Sequence, residues 1–312
     1  MVKFILKRLL FLIPVIIGIS FLIFSIMNLT PGDPARLILG ETATQENVDA
    51  LREEMGLNDN FFIRYGRYVE GAFIGDLGKS YRTGLPVLEE IIERFPTTLK
   101  LASGAIFLAV LIGIPIGVIS AVKQYSIIDG VSLISALLLT SMPGFWLALM
   151  MMLIFSLKLD WLPTSGIETW KSFIMPCATL AAGTLAVLIR MTRSTMLEVV
   201  RQDYIRTAKA KGAHPKRIIF KHSLRNALLP VVTVIGINFG IQLGGSIIIE
   251  NVFAMPGLGS LIVTSVKMKD APAVMAAIMF IALVGGLVNL AVDVLYMYID
   301  PRIKAQYVRV RG

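Results

Sequence analysis

Six stretches of the chain are apolar over about the length of a membrane-spanning helix, and this feature limits the fold more than any other. A hydrocarbon core about 30 Å thick needs about 20 apolar residues in a helix, because every buried backbone amide must find its partner within the segment. The stretches cover residues 9–27, 99–122, 131–157, 174–189, 228–249 and 273–299. The sequence therefore predicts an all-α, polytopic membrane protein with six transmembrane helices.

Composition agrees with this fold class and excludes several others. Of the 312 residues, 55% are hydrophobic and 16% are charged, and the mean hydropathy is +0.74. A soluble domain carries about 25% charged residues, so a soluble enzyme, a disordered chain and a coiled coil are excluded. The single cysteine, Cys177, excludes an internal disulfide framework and a CxxC site.

The first apolar stretch is open to two interpretations. A cleaved signal peptide has an apolar region of about 7–15 residues followed by a small-residue cleavage site. Here the apolar region covers residues 9–27 and is followed by Asn-Leu-Thr-Pro at 28–31. We expect an uncleaved membrane anchor.

The distribution of charge predicts the orientation in the membrane, because basic residues collect in cytoplasmic loops. Residues 30–98 contain seven Arg and Lys against twelve Asp and Glu, whereas residues 190–227 contain ten Arg and Lys against two acidic residues. The N-terminal tail and the tail after Asp300 are also basic. We therefore expect both termini and the 190–227 loop in the cytoplasm, and residues 30–98 outside.

This orientation divides the chain into three parts. Residues 1–30 form the N-terminal tail and first span, residues 31–98 a small extracytoplasmic cap, and residues 99–312 the core with spans two to six. Within the cap, residues 45–55 have the periodicity of an amphipathic helix, and residues 85–95 lead into span two.

No catalytic, metal or cofactor site is predicted. Gly78-Lys79-Ser80 resembles the end of a phosphate-binding loop, but Phe73 occupies the position where that motif needs its first glycine. The two histidines, His214 and His222, lie in the 190–227 loop, where acidic or thiol residues at metal-ligand spacing are missing.

The fifth span has two different faces. Two sets of residues recur every four positions: Gly236, Gly240 and Gly244, and Asn238, Gln242 and Ser246. The glycines allow another helix to approach closely. The polar set either bonds to a neighbouring helix or lines a polar passage; we infer the passage, together with Met142 and Trp146 of the third span.

Prolines, glycines and acidic residues add three further predictions within the spans. Pro143 breaks the third span; we expect a simple proline kink, with a hinge or gate as the alternative. Gly113 and Gly117 predict close helix packing in the second span. Carboxylates are scarce, with Asp293 and Glu250 as the candidates, so an ion-driven carrier, which usually holds several ionisable groups at mid-membrane, is disfavoured.

The 190–227 loop predicts an elbow outside the bilayer. A helix through Ala210 breaks at Gly212, and a short helix begins at Pro215. We expect the apolar side chains at 218, 219 and 224 to dock on another protein. Nucleic-acid binding is the rival interpretation; it is disfavoured because the basic residues are spread around the helix.

The elbow resembles the EAA loop of binding-protein-dependent ABC importers, in the form found in the B-type permease subunits of the dipeptide/oligopeptide/nickel family. The resemblance rests on YIRTAKAKG at 204–212, HSLRNALLP at 222–230, TPGDP at 30–34, GDLG at 75–78, LPTSG at 162–166, PGLG at 256–259 and DPR at 300–302. Arg206 stands where the general EAA pattern has glutamate, as in the peptide branch of the family.

The resemblance implies the type I importer permease fold and a coupling helix that docks in a cleft of a cytoplasmic ATPase subunit. The implied coupling residues are Arg206, Thr207, Ala208, Lys209, Gly212, Pro215 and Arg217. The implied partners are a homologous second permease, two ATP-binding subunits that bind ATP and Mg, an extracytoplasmic substrate-binding protein and the lipid membrane. Nucleic acid is not among them.

The predicted function is therefore a multi-pass subunit of the bacterial inner membrane that forms half of the pathway of an ATP-driven importer of short peptides. The chain itself is not expected to be an enzyme or to hold a cofactor. Nickel chelates and glutathione remain alternative cargoes. An autonomous secondary carrier or channel, and an intramembrane enzyme, are the rival classes.

Overall fold

The computed structural model describes residues 2–299, and its regular structure is helical throughout this range. The α-helices are α1 (Val2–Leu29), α2 (Pro34–Leu39), α3 (Gln45–Glu54), α4 (Phe61–Phe73), α5 (Val87–Val122), α6 (Ile127–Ser141), α7 (Gly144–Met151), α8 (Ile174–Val200), α9 (Asp203–Ala210), α10 (Pro215–Arg217), α11 (Arg225–Val252), α12 (Leu258–Lys267) and α13 (Ala271–Ile299). Two π-helical turns, Met152–Lys158 and Ile218–Leu224, follow α7 and α10. The DPR motif at 300–302 and the basic tail lie outside the described residues.

Five of the six predicted spans are single helices, and the remaining one, the third span, is a bent pair of helices. The long apolar helices are Lys3–Leu29, Val87–Val122, Trp170–Val200, Pro215–Gly244 and Ala271–Leu295. The third predicted span consists of Ile127–Ser141 and Gly144–Lys158, which meet at 102°. The expected simple kink at Pro143 is therefore wrong, because the two helices meet at an angle of 102° and do not continue one another.

The local cause of the bend is the Met142–Pro143 dipeptide. Proline disfavours the helical region of the backbone map for the residue that precedes it. Met142 accordingly has φ −82° and ψ 126°, an extended conformation that ends α6. Pro143 then caps the start of α7 without a side-chain hydrogen bond.

The chain divides into two compact units, and the first combines the start of the chain with a later segment. It contains the residues up to Leu99 and Ala254–Gly286. Phe21 and Phe24 of α1 pack on Phe61 and Tyr65 of α4, with the Phe24 and Phe61 ring centroids 4.9 Å apart. These aromatic contacts hold α4 against the membrane anchor.

The predicted amphipathic helix at 45–55 is confirmed as α3. Thr44 precedes it as an N-cap whose side chain accepts a hydrogen bond from the Asn47 amide. Val48 supplies the buried apolar face. Arg52 lies on the same helix and forms an ion pair of 2.9 Å with Asp33, which caps α2, so α2 and α3 pack as one small body.

The second unit contains Lys100–Phe253 and the described residues from Leu287, and its core is built from small residues. Ala105, Ala109, Ala181, Leu188 and Val231 form one cluster from α5, α8 and α11. Small side chains let helices approach closely in a membrane, where packing replaces the hydrophobic effect.

The predicted close approaches at glycine are confirmed at three positions of this unit. A Cβ on Gly117 of α5 would lie 2.6 Å from the Thr192 Cβ and 2.9 Å from the Ile189 carbonyl oxygen of α8. A Cβ on Gly113 would lie 3.0 Å from the Leu188 Cβ. A Cβ on Gly236 of α11 would lie 2.7 Å from the Val292 Cγ1 of α13 and closer still to its Cγ2.

Candidate coupling elbow and the core behind it

The predicted elbow is present in the second unit. Helix α9 ends at Ala210, and Gly212 has φ +75°, a left-handed conformation that favours glycine. Helix α10 begins at Pro215, and the His214 side chain accepts a hydrogen bond of 3.3 Å from the Lys216 amide. Gly212 therefore makes the turn, and the His214–Pro215 pair starts the next helix.

The second arm of the elbow corrects one prediction. The helix that begins at Pro215 is not short, because it continues through the π-helical turn into α11 and is a candidate span as Pro215–Gly244. A force on the elbow therefore acts directly on a helix that enters the membrane.

The apolar residues of the elbow also differ from expectation. Ile218 is buried, and Ile219 and Leu224 pack on a core cluster that includes Met196 and Ala227. These side chains pack within the chain, Ile218 fully and Ile219 and Leu224 in part, so the apolar stripe is not the exposed surface that we expected. Ile205 is the buried residue of α9, with no exposed surface.

The outward side of the elbow is polar and basic. Of the predicted coupling residues, Ala208 is half-buried and the others are exposed: Arg206, Thr207, Lys209, Gly212, Pro215 and Arg217. The Arg206 guanidinium lies 3.6 Å from the Asp203 carboxylate, but their side chains are 75% and 96% exposed. Such an exposed pair contributes little to stability. The basic surface is accessible because these side chains are exposed. Its role in coupling stays a prediction.

A hydrogen bond links the two arms of the elbow. The Asn226 amide nitrogen donates to the Tyr204 hydroxyl at 2.8 Å and to the His222 carbonyl oxygen at 3.1 Å. Tyr204 belongs to α9 and Asn226 to α11. This contact, together with Ile205, fixes α9 against the helix that follows it.

An ion pair with a buried carboxylate and a partly exposed guanidinium lies behind the elbow and was not predicted. The Arg193 guanidinium of α8 donates to both carboxylate oxygens of Asp129 in α6, at 2.6 and 2.8 Å. Asp129 also accepts from the Ser120 hydroxyl of α5 at 2.5 Å and from the Tyr125 amide at 2.9 Å. Asp129 is 3% exposed, so one carboxylate joins three helices.

Sequence reasoning missed this pair for a specific reason. Asp129 lies just before the predicted span at 131–157, and Arg193 is one of the ten basic residues of the 190–227 segment, so neither residue is expected inside a helix bundle. The available signal was Ser126, which caps α6 by accepting from the Asp129 amide. A helix start at residue 127 places Asp129 inside the helix, where an acidic side chain needs a partner.

The polar face of α11 bonds to α8 and to its own helix. The Gln242 amide nitrogen donates to the Thr184 hydroxyl at 2.9 Å, and that hydroxyl donates to the Asn238 side-chain oxygen at 3.2 Å. The Ser246 hydroxyl donates to Glu250 one turn later at 2.9 Å. These contacts match the alternative in which the face joins a neighbouring helix, and a role in the passage stays a prediction.

The other two predicted passage residues lie at the bend between α6 and α7. Met142 is partly buried and Trp146 is exposed. They stay predictions as well. Within the first unit, the Gly78-Lys79-Ser80 segment has a structural role, because the Ser80 hydroxyl donates to the buried Asp270 carboxylate at 2.5 Å.

Comparison with known proteins assigns this architecture to a family. A model described as "Binding-protein-dependent transport system inner membrane component" matches residues 113–305, and a model for the N-terminal part of such components matches residues 1–102. The chain belongs to this family of inner membrane transport components. Together with its apolar helices, this makes it a multi-pass protein of the bacterial inner membrane.

Relatives with curated names cover almost the whole chain. The dipeptide transport system permease protein DppB of Alkalihalophilus pseudofirmus is 42% identical over 97% of this chain and 100% of its own length. The glutathione transport system permease protein GsiC of Escherichia coli strain K12 is 42% identical, over 97% of this chain and 99% of its own length. The predicted resemblance to importer permeases of the peptide branch is confirmed.

A solved structure shares the fold. A chain of the MetNI methionine ABC transporter, solved in inward-facing conformations, superposes with a TM-score of 0.58 at 21% identity, over 69% of this chain and 98% of that chain. The expected importer permease fold is confirmed by this likeness.

Proposed function

We propose that this chain is the membrane-spanning permease subunit of an ATP-driven importer of short peptides, and that it forms half of the translocation pathway. The proposal includes a homologous second permease, two cytoplasmic subunits that bind and hydrolyse ATP with Mg, and an extracytoplasmic protein that delivers the cargo. Family membership and the two 42% identical relatives support it.

The observation that carries the proposal is the continuity between the elbow and the membrane. Helix α9 presents Arg206 and Lys209 outward and is fixed on its inner side by Ile205. The helix that starts at Pro215 runs on into α11. Closure of an ATPase dimer around α9 would therefore move α11 as a rigid body, which is how packed helices transmit a switch between inward-open and outward-open states.

The cargo proposed is a dipeptide or a peptide of similar size. One relative is named for dipeptide transport and another for glutathione transport, and both names refer to short peptides. Uptake of a labelled dipeptide by cells that express the whole importer, in competition with unlabelled glutathione, distinguishes the two. Stronger inhibition by glutathione than by unlabelled dipeptide would favour the glutathione alternative.

The coupling role is tested at Gly212. A Cβ on Gly212 would meet nothing within 4 Å in this chain, and aspartate tolerates φ +75° better than most residues. Gly212→Asp is therefore expected to stay folded and membrane-inserted, yet to lose ATP-dependent uptake. Gly84, with φ +71° and equally open surroundings, provides the matched control, and Gly84→Asp is expected to keep uptake.

Two results would contradict the proposal. The first is normal uptake by Gly212→Asp. The second is uptake by the purified chain alone in liposomes, abolished by an uncoupler and indifferent to ATP, because an autonomous carrier behaves in that way.

A further inference from the structure

The first unit contains a polar cavity of about 510 Å³ at the end of α1. Its walls come from the last residues of α1 and the turn after it, from the α2–α3 body and the turn that follows it, from α4, from the segment between α4 and α5, and from the turn between α12 and α13. The charged residues in its lining are Asp33, Arg52, Arg64 and Lys269. Three cations and one anion give the cavity a positive balance.

Two of the three cations, Arg64 and Lys269, have no acidic partner among the residues that the structure describes. Arg52 is already paired with Asp33 at 2.9 Å. Arg64 instead donates to the amide oxygen of Asn28 at 2.9 Å, and the Lys269 ammonium donates to the Thr30 carbonyl oxygen at 2.7 Å. Within residues 2–299, both cations therefore have neutral acceptors and keep donor capacity for an anion.

Both cations are held in place at this cavity. The Arg64 guanidinium stacks 5.6 Å above the centre of the Phe24 ring. Lys269 has φ +57°, a left-handed conformation that is unfavourable for a residue with a long side chain. A Cβ on Gly32 would lie 3.1 Å from the Lys269 Cε, so the turn after α1 leaves room for the lysine stem. A strained backbone that persists at a concave site is a feature of binding sites.

A neutral donor completes the lining. Burial raises the pKa of Tyr81; Arg64 lowers it, and the charge of Asp270 adds to the rise. The Tyr81 phenol therefore stays protonated at neutral pH, so it adds no negative charge and provides an O–H donor next to the guanidinium.

The location of the cavity indicates the source of the anion. Most large apolar side chains of α1 are exposed, and only 11% of its most apolar window is buried. The lining begins with Met27 and Asn28, where this exposed apolar surface changes to polar residues. Because the end of an apolar span lies at the membrane surface, we expect the cavity at the level of the headgroups, where phosphates are the principal anionic groups.

We propose that this cavity binds the phosphate group of an anionic phospholipid headgroup, with Arg64 and Lys269 as its cationic ligands. Arginine and lysine are the usual phosphate-binding side chains. The bound lipid would join the end of α1 to the α12–α13 turn, and so fix the cap to the membrane surface.

The test uses the purified, delipidated full chain in neutral detergent. Its thermal unfolding midpoint is titrated with phosphatidylglycerol, with diacylglycerol, which lacks the phosphate, and with inorganic phosphate. Lys269→Gln removes the charge but keeps an amide donor. Lys267→Gln is the matched control, because Lys267 is an exposed lysine on α12 outside the cavity lining.

We expect phosphatidylglycerol to raise the midpoint of the wild type and of Lys267→Gln, and diacylglycerol to have no effect. Lys269→Gln and Arg64→Gln should each need about tenfold more lipid for the same shift, as expected for loss of a hydrogen bond between charged groups. Equal protection by inorganic phosphate would support the phosphate site and assign it to a soluble anion. Equal responses of Lys269→Gln and Lys267→Gln would overturn the proposal.

Discussion

At the scale of single residues, Asp129 brings three helices together at one buried carboxylate. Its carboxylate is buried and accepts from Arg193, Ser120 and the Tyr125 amide. Removing one partner of a buried ion pair leaves an uncompensated charge in a poorly solvated place. The arrangement therefore makes the junction of α5, α6 and α8 sensitive to a single change.

We predict that Asp129→Asn or Arg193→Gln lowers the free energy of unfolding by about 3 kcal/mol. The double variant should lose less than the sum, because it leaves neither charge alone. Denaturant unfolding in detergent measures both quantities. Arg190→Gln is the control, since Arg190 is exposed on the same helix. Single variants as stable as the wild type would show that the pair is not formed.

Two glycine substitutions test helix packing, because we expect them to change stability in opposite directions. Gly117→Ala would place a Cβ 2.6 Å from the Thr192 Cβ, and such overpacking costs about 1–3 kcal/mol. Gly183 of α8 has nothing within 4 Å of the corresponding position, so Gly183→Ala should stabilise its helix by about 0.5–1 kcal/mol. Thermal unfolding of both variants is the measurement, and a stabilised Gly117→Ala would contradict the packing.

At the scale of elements, the elbow depends on few contacts. Helix α9 has eight residues, of which Ile205 is the buried one, and Tyr204 provides the hydrogen bond to Asn226. A helix of this length is not stable by itself in water. Its position relative to α11 therefore depends on these two side chains.

We predict that Ile205→Ala loosens α9 locally, because removing a buried isoleucine side chain costs about 2–5 kcal/mol. Hydrogen exchange should become faster in residues 203–210 and remain unchanged in α8. Lys209→Ala is the control on the same helix, because Lys209 is exposed. Uniformly faster exchange in both helices would mean that Ile205 supports the whole core and not the elbow alone.

At the scale of the whole molecule, the distribution of charge predicts the two sides of the membrane. The cap carries an acidic excess, and the elbow a basic one. Because Cys177 is the single cysteine and is buried, a cysteine-free chain is obtained by one substitution. Topology can then be measured with one introduced cysteine at a time.

In the Cys177→Ala background, an impermeant maleimide should label Glu54→Cys in intact cells. Lys216→Cys should be labelled only after permeabilisation. Both positions are exposed, so accessibility reports the side of the membrane, and the Cys177→Ala chain alone gives the background. Labelling of Lys216→Cys in intact cells would place the elbow outside and remove the proposed contact with an ATPase.

Sequence reasoning was most successful where a pattern is local. The apolar stretches predicted the spans, the amphipathic periodicity of residues 45–55 predicted α3, and Gly212 with Pro215 predicted the elbow. The expectation of a short helix at Pro215 was wrong. The basic residues between 216 and 225 interrupt the apolar pattern, although the helix itself continues into α11. It also missed α12, a short apolar helix of ten residues that lies below the length of a span.

The sequence by itself determined the fold class, the six apolar segments, the sign of charge in each connection and the family. These depend on composition and on neighbours along the chain. The tertiary structure alone decided that Asp129 and Arg193 pair across 64 residues, that the polar face of α11 meets Thr184, and that Arg64 and Lys269 share one cavity. The physical reason is that a buried charge or amide needs a partner, but its chemistry does not specify which distant residue will supply it.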